Sequence, residues 1–574
     1  MANIVDIKDF GAKGDGVADD AAAIQQAVDS AKGIPVFIPP GTYLLSKSII
    51  LPQGKTIIQG VGTLKKTGNF GGTGLLVDSN GGATGLIVSG IGLDGNEANQ
   101  SLQSPHYQVG VRLDRSRNVV FDGVQLYNTG FRALDMRYCD GIVVTNCIFQ
   151  NCGVNIGGSG GANSNSGNAI SYDFCKNLVV KGNTFRRWGD SGCDGIEGQN
   201  IVIENNIFLG ASYFGLEPIY EEGGIGATGS DRVVITGNYV QARKGIAIEP
   251  LTKSGRDILV SGNMVKTNTL CGIFVTGRAD LGFSISEIRI ADNMIEMTYP
   301  GEEANGGIYI GANVFDCSIE RNALNGNGDA SNSNEGIGGI TVRGDANARN
   351  SDISIRNNTV TGFRGYGIYA RYTDGLTVES NICKHNSKQY SPVGYRGDIY
   401  LLGCRDAGCS GNTVTVDPLH ASNAIYFNGS TCTVGANATN AKTLYGSVDS
   451  NMLPSRFDRI EIGGSLVSNA SDLPDAGAFR KGDCLYRTNP EPGGYVGWVC
   501  TAAGIANKNA WAPRKAYTVG TTVNANNKVY RCIGAGTSGT SAPSRISGTI
   551  TDGTVVWAYV DALAVFKPFG LIGS

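Results

Sequence analysis

The chain has 574 residues, of which 84 are glycine and 17% are charged, and its formal net charge at pH 7 is −3. A protein that binds nucleic acid by neutralising phosphates needs a basic face, so this composition excludes that class and we expect no nucleic-acid partner. No apolar run has the length of a membrane span, and residues 1–6 are unlike a signal peptide. We therefore expect neither a membrane partner nor a secretory leader.

The first predicted elements lie in residues 1–45, which we assign to an N-terminal cap and a first strand. Asp19 or Asp20 begins a helix, and Gly33 ends it. The apolar residues at helical spacing are Ile24, Ala27, Val28 and Ala31. Residues 35–43 then form a strand and a turn. A short amphipathic helix of this kind suits the open end of a core built from stacked strands.

An asparagine-containing pattern repeats along residues 46–440, which we assign to the main, catalytic domain. Each copy is a run of alternating apolar residues, one or two polar or glycine residues, an asparagine and further strand residues, as in 201–208 and 353–360. Period-two alternation predicts strands. An irregular repeat of ~20–50 residues predicts a solenoid of β-coils whose loops vary in length. The asparagines are Asn183, Asn206, Asn238, Asn263, Asn293, Asn322, Asn358, Asn381 and Asn412, and we expect Asn146 to begin the series.

Asparagine suits this position for two physical reasons. It tolerates the left-handed backbone region at a bend between strands and can bond its own backbone. In a stack of coils its amide can also bond the asparagine above and the one below. We therefore predict a continuous ladder of asparagine side chains.

A second pattern, a small residue followed by two apolar residues one position apart, precedes the asparagine pattern in each coil. Because strand side chains alternate, the residue between the two apolar positions and the residue after them face outward. The first outward column is predicted to contain Asp135, Ser171, Glu197, Glu217, Ala247, Phe274, Tyr309, Thr341, Tyr369 and Tyr400. The second is predicted to contain Arg137, Asp173, Gln199, Ile219, Glu249, Thr276, Gly311, Arg343, Arg371 and Leu402.

Carboxylates from successive coils are expected to form a catalytic site, because neighbouring coils lie ~4.8 Å apart. Like charges this close raise at least one pKa, so one group becomes a general acid while its partner stays a base or nucleophile. Such a pair is what glycoside hydrolysis requires. The alternative that outward carboxylates only solvate the strands stays open. The predicted catalytic residues are Asp173, Glu197, Glu217 and Glu249, with Asp194 and Glu221 in nearby loops.

Aromatic and arginine residues farther along the same columns are expected to bind substrate. A row of exposed aromatic side chains suits sugar stacking, and arginine can form forked hydrogen bonds to an acidic sugar. A subunit interface is the alternative. The predicted binding residues are Tyr213, Phe274, Tyr309, Arg343, Tyr369 and Arg371.

The coil pattern stops near residue 440. We assign 441–475 to a linker or small cap, 476–511 to a small β module and 512–574 to a C-terminal β module that binds carbohydrate or stabilises a trimer. The tryptophan and tyrosine residues of both modules are interpreted as sugar platforms, as the core of a small sheet or as a subunit contact. The 14 cysteines occur singly and the 3 histidines lack metal-ligand spacing. We expect reduced core thiols and no metal or cofactor.

The N-terminal segment 5–16 reads VDIKDFGAKGDG and leads into an acidic pair and the predicted helix. This motif resembles that of the pectate-lyase-like superfamily of right-handed parallel β-helices, and the coil pattern extends the resemblance to about residue 440. The resemblance implies an all-β fold, a right-handed parallel β-helix with a short N-terminal capping helix and small C-terminal β modules. The superfamily includes pectin-degrading hydrolases and lyases, alginate epimerases and many bacteriophage tailspikes.

Two segments are similar to catalytic motifs within this superfamily but depart from them. Residues 213–218 are similar to the catalytic strand of mannuronan epimerases, with Glu217 at the acid and Pro218 at the proline. Ile219 replaces the histidine, which makes epimerase chemistry, or lyase chemistry of that kind, doubtful. Residues 189–195 echo the acidic motif of pectin-type hydrolases, whose Gly-His-Gly and Arg-x-Lys motifs this sequence lacks.

The resemblance implies a phage or prophage tailspike that binds and cleaves a bacterial capsule or O-antigen. It also implies a side-by-side homotrimer, synthesised in the host cytoplasm and attached to a virion baseplate or another tail protein. We expect hydrolysis, with Glu217 and either Glu197 or Glu249 as the acid and the base or nucleophile. The alternatives are a lyase that acts on a uronic-acid-containing glycan through tyrosine or arginine, and a non-catalytic adhesin.

Overall fold

The computed structural model of the protein describes residues 4–79, 81–100, 109–153, 167–210, 223–268, 270–298, 306–326, 338–387, 398–416, 423–430, 432–435, 437–440, 442–445, 459–462 and 465–573. The chain divides into two compact units. The first contains Met1–Ser422 and Ser430–Asn440, and the second contains Asn423–Gly429 and Ala441–Ser574.

The first unit is a stack of coils, and each coil contributes one strand to each of three parallel sheets. Sheet 1 contains Val5–Asp6, Val36–Ile38, Thr56–Gly60, Leu86–Ser89, Arg117–Asp122, Asp140–Thr145, Lys176–Lys181, Gln199–Glu204, Asp231–Thr236, Gly255–Ser261, Ile285–Ala291, Val314–Glu320, Asn350–Arg356, Thr373–Asp374, Thr377–Glu379, Ala407–Ser410 and Cys432–Val434. Sheet 2 contains Asp15–Asp19, Thr42–Leu45, Thr63–Lys66, Gly92–Asp94, Gln125–Thr129, Ile148–Cys152, Thr184–Trp188, Ile207–Leu209, Tyr239–Gln241, Met264–Thr267, Met294–Met297, Ala323–Gly326, Thr359–Thr361, Ile382–Lys384, Thr413–Thr415 and Ala438–Thr439. Within this unit, sheet 3 contains Ile49–Leu51, Gly74–Asp78, Val109–Asp114, Leu134–Arg137, Ile170–Asp173, Ser191–Asp194, Gly223–Thr228, Lys244–Glu249, Cys271–Val275, Gly306–Ile310, Ile340–Arg343, Ile368–Arg371 and Ile399–Leu402.

The predicted alternation places one apolar face of every strand inside the stack. In Gln199–Glu204, for example, Ile201 and Ile203 are fully buried, whereas Glu204 is partly exposed. Burial of a side chain of this size stabilises the fold by about 1.5–3 kcal/mol relative to exposure. The coil architecture predicted from the sequence is therefore confirmed.

The asparagine ladder is continuous from Asn183 to Asn412. In Asn263, Nδ2 donates to Oδ1 of Asn293 over 3.0 Å and to the carbonyl of Ile235 over 2.9 Å. The backbone N–H of each ladder asparagine also donates to Oδ1 of the next, so one side chain bonds the coils on both sides of it. These bonds satisfy polar groups that are buried, which makes the ladder a structural element.

The prediction that Asn146 begins the ladder is wrong, because the ladder begins one coil later, at Asn183. Asn146 has a left-handed φ of 55° and bonds Asp122 at the surface, so it is not a ladder residue. The buried position belongs to Cys147, whose N–H donates to Oδ1 of Asn183 over 2.8 Å. At the other end Asn437 extends the ladder, because Asn412 donates to its Oδ1 over 2.9 Å.

The N-terminal helix covers Ala21–Ala31, and its four predicted apolar residues are buried. Asp20 precedes it, but its carboxylate accepts hydrogen bonds from Lys13 and Gly14 instead of capping the helix. Lys32 and Gly33 end the helix with positive φ. Short 3₁₀ helices cover Ile7–Phe10, Glu97–Asn99 and Ala279–Leu281. No helix among the described segments is long and apolar enough to cross a membrane.

In the second unit the parallel strands Asn423–Asn428 and Lys442–Tyr445 pair with each other, and the second also pairs with Arg459–Ile462. The sheet continues through Ser465–Ala470, Cys484–Arg487, Tyr495–Ala502 and Val565–Leu571. A four-stranded antiparallel sheet contains Thr522–Ala525, Lys528–Gly534, Thr549–Asp552 and Val555–Ala562. Two further pairs join Ala478–Phe479 to Gly504–Ile505 and Ala516–Tyr517 to Gly536–Thr537.

The predicted boundary at residue 511 is wrong in one respect. The last strand, Val565–Leu571, pairs with Tyr495–Ala502 of the preceding module, so the four-stranded sheet is an insertion within that module. Tyr530 and Trp557 form the core of the inserted sheet and are fully buried. For these two residues, burial excludes the sugar-platform interpretation.

All 14 cysteines are free thiols, and 13 of them are buried. Burial raises the pKa of Cys271 to about 12, so this thiol stays protonated at neutral pH. The prediction of reduced core thiols is confirmed.

Candidate active site

The outer face of sheet 3 carries two columns of side chains, and strand pairing defines their members. Ser171 pairs with Asp194, and Gly226 pairs with Ala247. Because Cys193 pairs with Ile225, the residues that follow them, Asp194 and Gly226, are neighbours in the first column. The first column is Arg112, Asp135, Ser171, Asp194, Gly226, Ala247, Phe274, Tyr309, Thr341, Tyr369 and Tyr400. The second column includes Arg137, Asp173, Ile196, Thr228, Glu249, Arg343 and Arg371.

The predicted position of Glu197 in the first column is wrong. The strand is Ser191–Asp194, with Cys193 facing inward, so Asp194 takes the outward position. Glu197 lies after the strand at a bend, with a φ of 53°, and the hydroxyl of Thr252 donates to its carboxylate. Gln199 likewise belongs to sheet 1 and not to the second column.

The next coil was also assigned to the wrong segment. Its strand is Gly223–Thr228, with Ile225 and Ala227 inward, instead of the segment around Glu217. Gly226 therefore occupies the place predicted for Glu217, and Thr228 the place predicted for Ile219. Glu217, Tyr213 and Glu221 lie outside the described residues.

A pocket of ≈160 Å³ opens in this face at the coils of Asp194 and Glu249. At ~30 Å³ per water molecule it has room for a few waters or for the polar edge of a sugar ring. Its floor is formed by small residues, Gly226 and Ala247. The pocket is lined by Asp190, Ser191, Asp194, Gly223, Ile225, Gly226, Thr228, Lys244, Ala247 and Glu249.

Asp194 is the residue with the most perturbed acidity in this pocket. Oδ1 accepts the N–H of Gly195 over 2.7 Å and lies directly over Gly226. The pKa of Asp194 is raised to about 7 by burial, by the charge of Asp190 and, to a smaller extent, by the charges of Asp173 and Glu249. The hydrogen bond from Gly195 acts in the opposite direction and lowers the pKa. A carboxyl group with this pKa is protonated in a large fraction of molecules near neutral pH, as a general acid must be.

Glu249 is the second carboxylate of the pocket, and its side chain is 39% exposed. Lys244 Nζ lies 3.7 Å from Glu249 Oε1. The same ammonium lies 5.0 Å from the ring centroid of Phe274. Because the ammonium of Lys244 attracts both the carboxylate and the ring, Lys244 favours the position of both at the edge of the pocket. Glu249 is thus the predicted catalytic residue that the structure brings beside Asp194.

Asp173 is predicted as catalytic, but it is bound in an ion-pair network next to the pocket. Arg132 Nη1 lies 3.1 Å from Asp173 and 2.8 Å from Asp135. Arg137 and Arg112 also approach Asp135, at 3.6 Å and 4.0 Å. Asp173 is buried and does not line the pocket. We assign it an electrostatic effect on Asp194 instead of direct contact with substrate.

Aromatic residues continue along the face, as the sequence predicts. Phe274 and Tyr309 stack with centroids 5.2 Å apart and planes inclined by 3°. Farther along, Tyr369 packs against Tyr400 and Tyr366, with centroids 5.4 Å and 5.2 Å away. Tyr366 joins this group from outside the columns, so the sequence pattern missed it.

Arg343 and Arg371 are adjacent in the second column and pair in register. Burial raises the pKa of Tyr369, while Arg371 and Arg343 oppose this rise because both cations lie near its hydroxyl. The two arginines and Tyr369 therefore form one cluster.

The sequence predicts Asp194 in a loop near the site, whereas the structure places it in the strand Ser191–Asp194, and the difference has a physical reason. The strand after it, GGIGAT in 223–228, is made of small residues and lacks the strong apolar alternation that marks the other coils. The signals that pointed to Asp194 were the acidic motif in 189–195 and the single apolar Cys193 before it. In the part of the chain that the structure describes, no group of three or more His, Cys, Asp or Glu side chains is arranged to hold a metal ion.

Two protein-family models each match part of the chain. "Rhamnogalacturonase A/epimerase, pectate lyase-like" matches residues 4–221, and "Right handed beta helix region" matches residues 162–348. With the three parallel sheets, these matches define the class of fold, which is a right-handed parallel β-helix. The resemblance of the N-terminal motif and the predicted fold class are both confirmed.

Relatives of known name include phage proteins. The chain is 38% identical over 99 residues to the preneck appendage protein of Bacillus phage PZA, a match to 16% of this chain and 11% of that protein. It is 28% identical over 203 residues to a capsule-specific depolymerase of Klebsiella phage K5-2, a match to 35% of this chain and 22% of that protein. The chain thus spans less than a quarter of the length of either relative.

Similar solved structures include a tailspike protein of E. coli bacteriophage HK620 in complex with a pentasaccharide. This similarity has a TM-score of 0.49 and 12% identity, and covers 98% of this chain and 92% of that one. The family 28 exopolygalacturonase of Yersinia enterocolitica is similar with a TM-score of 0.43 and 15% identity, over 79% of each chain.

Proposed function

We propose that this protein is a phage tailspike depolymerase that binds and hydrolyses a bacterial surface polysaccharide, either capsule or O-antigen. The observation that carries the proposal is the pocket in which Asp194, with its raised pKa, lies beside Glu249. The phage appendage and capsule depolymerase relatives support the virion tail as its location and the bacterial surface as its place of action.

In the proposed reaction, Asp194 is the general acid and donates its carboxyl proton to the glycosidic oxygen as the bond to the anomeric carbon breaks. Glu249 supplies the second carboxylate, either as a base that takes a proton from the attacking water or as a nucleophile that bonds the anomeric carbon. Lys244 holds Glu249 in position at the pocket edge. Phe274 and Tyr309 provide an apolar platform for the next sugar ring.

The charge of the pocket favours hydrolysis over the lyase alternative. A lyase abstracts a proton next to a uronate carboxylate, so its cleavage site must stabilise negative charge on the sugar. Here Asp190, Asp194 and Glu249 line the pocket beside a single lysine. A uronate at this position would meet carboxylates, and repulsion between like charges at short range disfavours its binding.

One experiment separates hydrolase, lyase and adhesin. The protein is incubated with purified bacterial surface polysaccharides, and new reducing ends and the ultraviolet absorbance of unsaturated sugar ends are both followed. We expect reducing ends without absorbance, and Asp194→Asn and Glu249→Gln should lower the rate at least a hundredfold. Glu204→Gln is the matched control, because Glu204 is also an outward carboxylate and its Oε1 lies 2.8 Å from Lys181 Nζ. Glu204 differs from Glu249 in that it lies in sheet 1, away from the pocket.

New reducing ends together with absorbance would indicate the lyase. Binding without either product would indicate the adhesin. Full activity in both carboxylate variants would contradict the assignment of the site.

We also propose that copies of the chain associate side by side as a homotrimer, and an exposed apolar column in sheet 2 supports association. Nine consecutive coils contribute Ile148, Thr184, Ile207, Tyr239, Met264, Met294, Ala323, Thr359 and Ile382 in register. Met294 is 54% exposed and Ile207 44%. Eight coil steps of ~4.8 Å make this mostly apolar column ~38 Å long, and a large patch of exposed apolar side chains is typical of protein interfaces.

The test is the mass of the particle in solution, measured by light scattering after gel filtration. We expect a trimer for the unaltered chain and dissociation when Met264 and Met294 are both changed to Glu. A monomeric unaltered chain, or a double variant that stays trimeric, would contradict the proposed interface.

A further inference from the structure

We propose that the polysaccharide is anionic and that Arg343 and Arg371 bind its acidic sugar three to four coils from the bond that is cleaved. This inference rests on the proposed function and adds the class of substrate and the position of its charge. The acidic group is a carboxylate or a phosphate, since guanidinium forks bind both in the same geometry.

The first argument is the lack of charge compensation at the arginine pair. Arg343 and Arg371 are partners in neighbouring strands, and like charges directly opposite each other in a sheet are destabilising. Neither guanidinium forms a salt bridge with a carboxylate in the described part of the chain. Arg371 uses Nε to donate to the carbonyl of Gly344 over 3.0 Å, which positions the group without neutralising it.

The arginines at the other end of the same face behave differently. Arg112, Arg132 and Arg137 all contact Asp135, and Arg132 also contacts Asp173. These three arginines, which support the fold, are therefore neutralised by carboxylates of the chain itself. The pair, which has no carboxylate partner among the described residues, lies where Tyr369 and Tyr400 offer rings for a sugar. We infer that the ligand supplies the negative charge.

Small outward residues lie between the pocket and the arginine pair, and we call this path the trough. In the second column, Glu249 and Arg343 are separated by only two residues, Thr276 and Gly311, and both are small. The hydroxyl of Thr276 occupies the space that a side chain at Gly311 would need. The stacked rings of Phe274 and Tyr309 form one border of this trough. Among the described residues of the second column, no large side chain stands between Glu249 and Arg343 in the path of an extended oligosaccharide.

The length of the trough sets the spacing of the charge. Arg343 is three coil steps and Arg371 four coil steps from Glu249, which is ~14–19 Å at ~4.8 Å per step. If each sugar ring takes about one coil spacing, three or four rings bridge this distance. Because the pocket repels an anion and the arginine pair attracts one, the substrate can bind in only one register.

The experiment uses the full chain with Asp194→Asn as a background, so that binding is measured without cleavage. Purified surface polysaccharides that contain uronate, pyruvate ketal or phosphate, and neutral ones, are tested by surface plasmon resonance. The double variant Arg343→Gln/Arg371→Gln is compared with Arg256→Gln, since Arg256 is exposed in sheet 1 of a central coil. We expect an anionic polymer to bind and the double variant to weaken its binding at least tenfold, while Arg256→Gln leaves it unchanged.

The source of the charge is then identified on the polymer that binds. Reduction of its carboxyl groups, or removal of its phosphate, should weaken binding to the level of the double variant and abolish the difference between the two proteins. Binding of neutral polymers only, or equal binding by the double variant, would overturn the inference. Those results would leave the proposed hydrolysis intact, because that depends on new reducing ends and on Asp194 and Glu249.

Discussion

The carboxylate of Asp194 occupies the space above Gly226 on the next coil. A Cβ atom built on Gly226 would lie 2.3 Å from Asp194 Oδ1 and 2.6 Å from Cγ, so any side chain there would displace the carboxylate. The position of the proposed general acid thus depends on Gly226, a residue of the pocket floor that has no side chain. Gly226 does not have a left-handed φ, so its role here is to leave room.

Gly226→Ala should therefore impair catalysis and leave the fold intact. We expect activity to fall about 10- to 100-fold, since a displacement of ~1 Å at a catalytic group has an effect of this size. The carboxylate can rotate away, so the thermal midpoint should change little. Gly408→Ala is the control, because Gly408 lies in a sheet 1 strand and has nothing within 4 Å of its Cβ position. Equal activity of the two variants would contradict the coupling.

The pH dependence of hydrolysis should report the acidity of Asp194. A general acid must be protonated, so activity should fall as the pH rises through about 7, the pKa of Asp194, and then by about tenfold per pH unit. The check is kcat/KM from about pH 5 to about pH 9 on one polysaccharide. A rate that stays level or rises through pH 8 would exclude Asp194 as the acid.

Asp398 offers a comparison in stability, because it also has a raised pKa but lies away from the pocket. It is fully buried, its Oδ2 lies 3.4 Å from the Asn386 amide, and burial raises its pKa from 3.8 to about 7. The folded state thus binds this proton more tightly than the unfolded chain. The resulting stabilisation is complete below about pH 4 and is lost as the pH rises through about 7.

Asp398→Asn should consequently stabilise the protein at pH 8, on the order of 1–4 kcal/mol, and have little effect at pH 4. Asp194→Asn should stabilise in the same direction but abolish activity, whereas Asp398→Asn should keep it. Unfolding by urea at both pH values measures the difference. If Asp398→Asn is destabilising at pH 8, the buried carboxyl has a structural role that the pKa does not describe.

The asparagine ladder should make a large contribution to stability at each position. Asn263→Ala removes a side chain that accepts bonds from Asn238 and donates to Asn293 and Ile235, which leaves several buried polar groups unpaired. We expect a loss of about 2–4 kcal/mol in the free energy of unfolding. Asn325→Ala, at an exposed outward position of sheet 2, should cost less than about 0.5 kcal/mol. Similar values for both variants would show that the ladder bonds add nothing to stability.

Much of the fold could be predicted because the coil pattern is local. The alternation around Ile201 and Ile203, followed by a ladder asparagine, contains the strand, its inward face and the bend in about eight residues. The same regularity gives the correct neighbours for Phe274, Tyr309, Arg343 and Arg371, since the coils on that side all have strong apolar pairs.

The site was predicted less well because the coil at its centre lacks this pattern. Gly223–Thr228 is glycine-rich, and a segment with stronger apolar and acidic character around Glu217 competed for the same place. Glycine is needed there to make room for Asp194, so the functional requirement weakened the signal that would have identified the strand.

The insertion in the second unit was missed for another reason. Pairing of Val565–Leu571 with Tyr495–Ala502 is a long-range contact without a local signature.

The measurement that bears most directly on the proposed cleavage site is the rate at which the Asp194→Asn variant releases reducing ends from a polysaccharide that the unaltered protein cleaves. Binding of the same polymer is measured in parallel. We predict that the variant binds with unchanged affinity and cleaves at least a hundredfold more slowly. A variant that cleaves at the unaltered rate would contradict the assignment of Asp194 as the acid and, with it, the proposed mechanism.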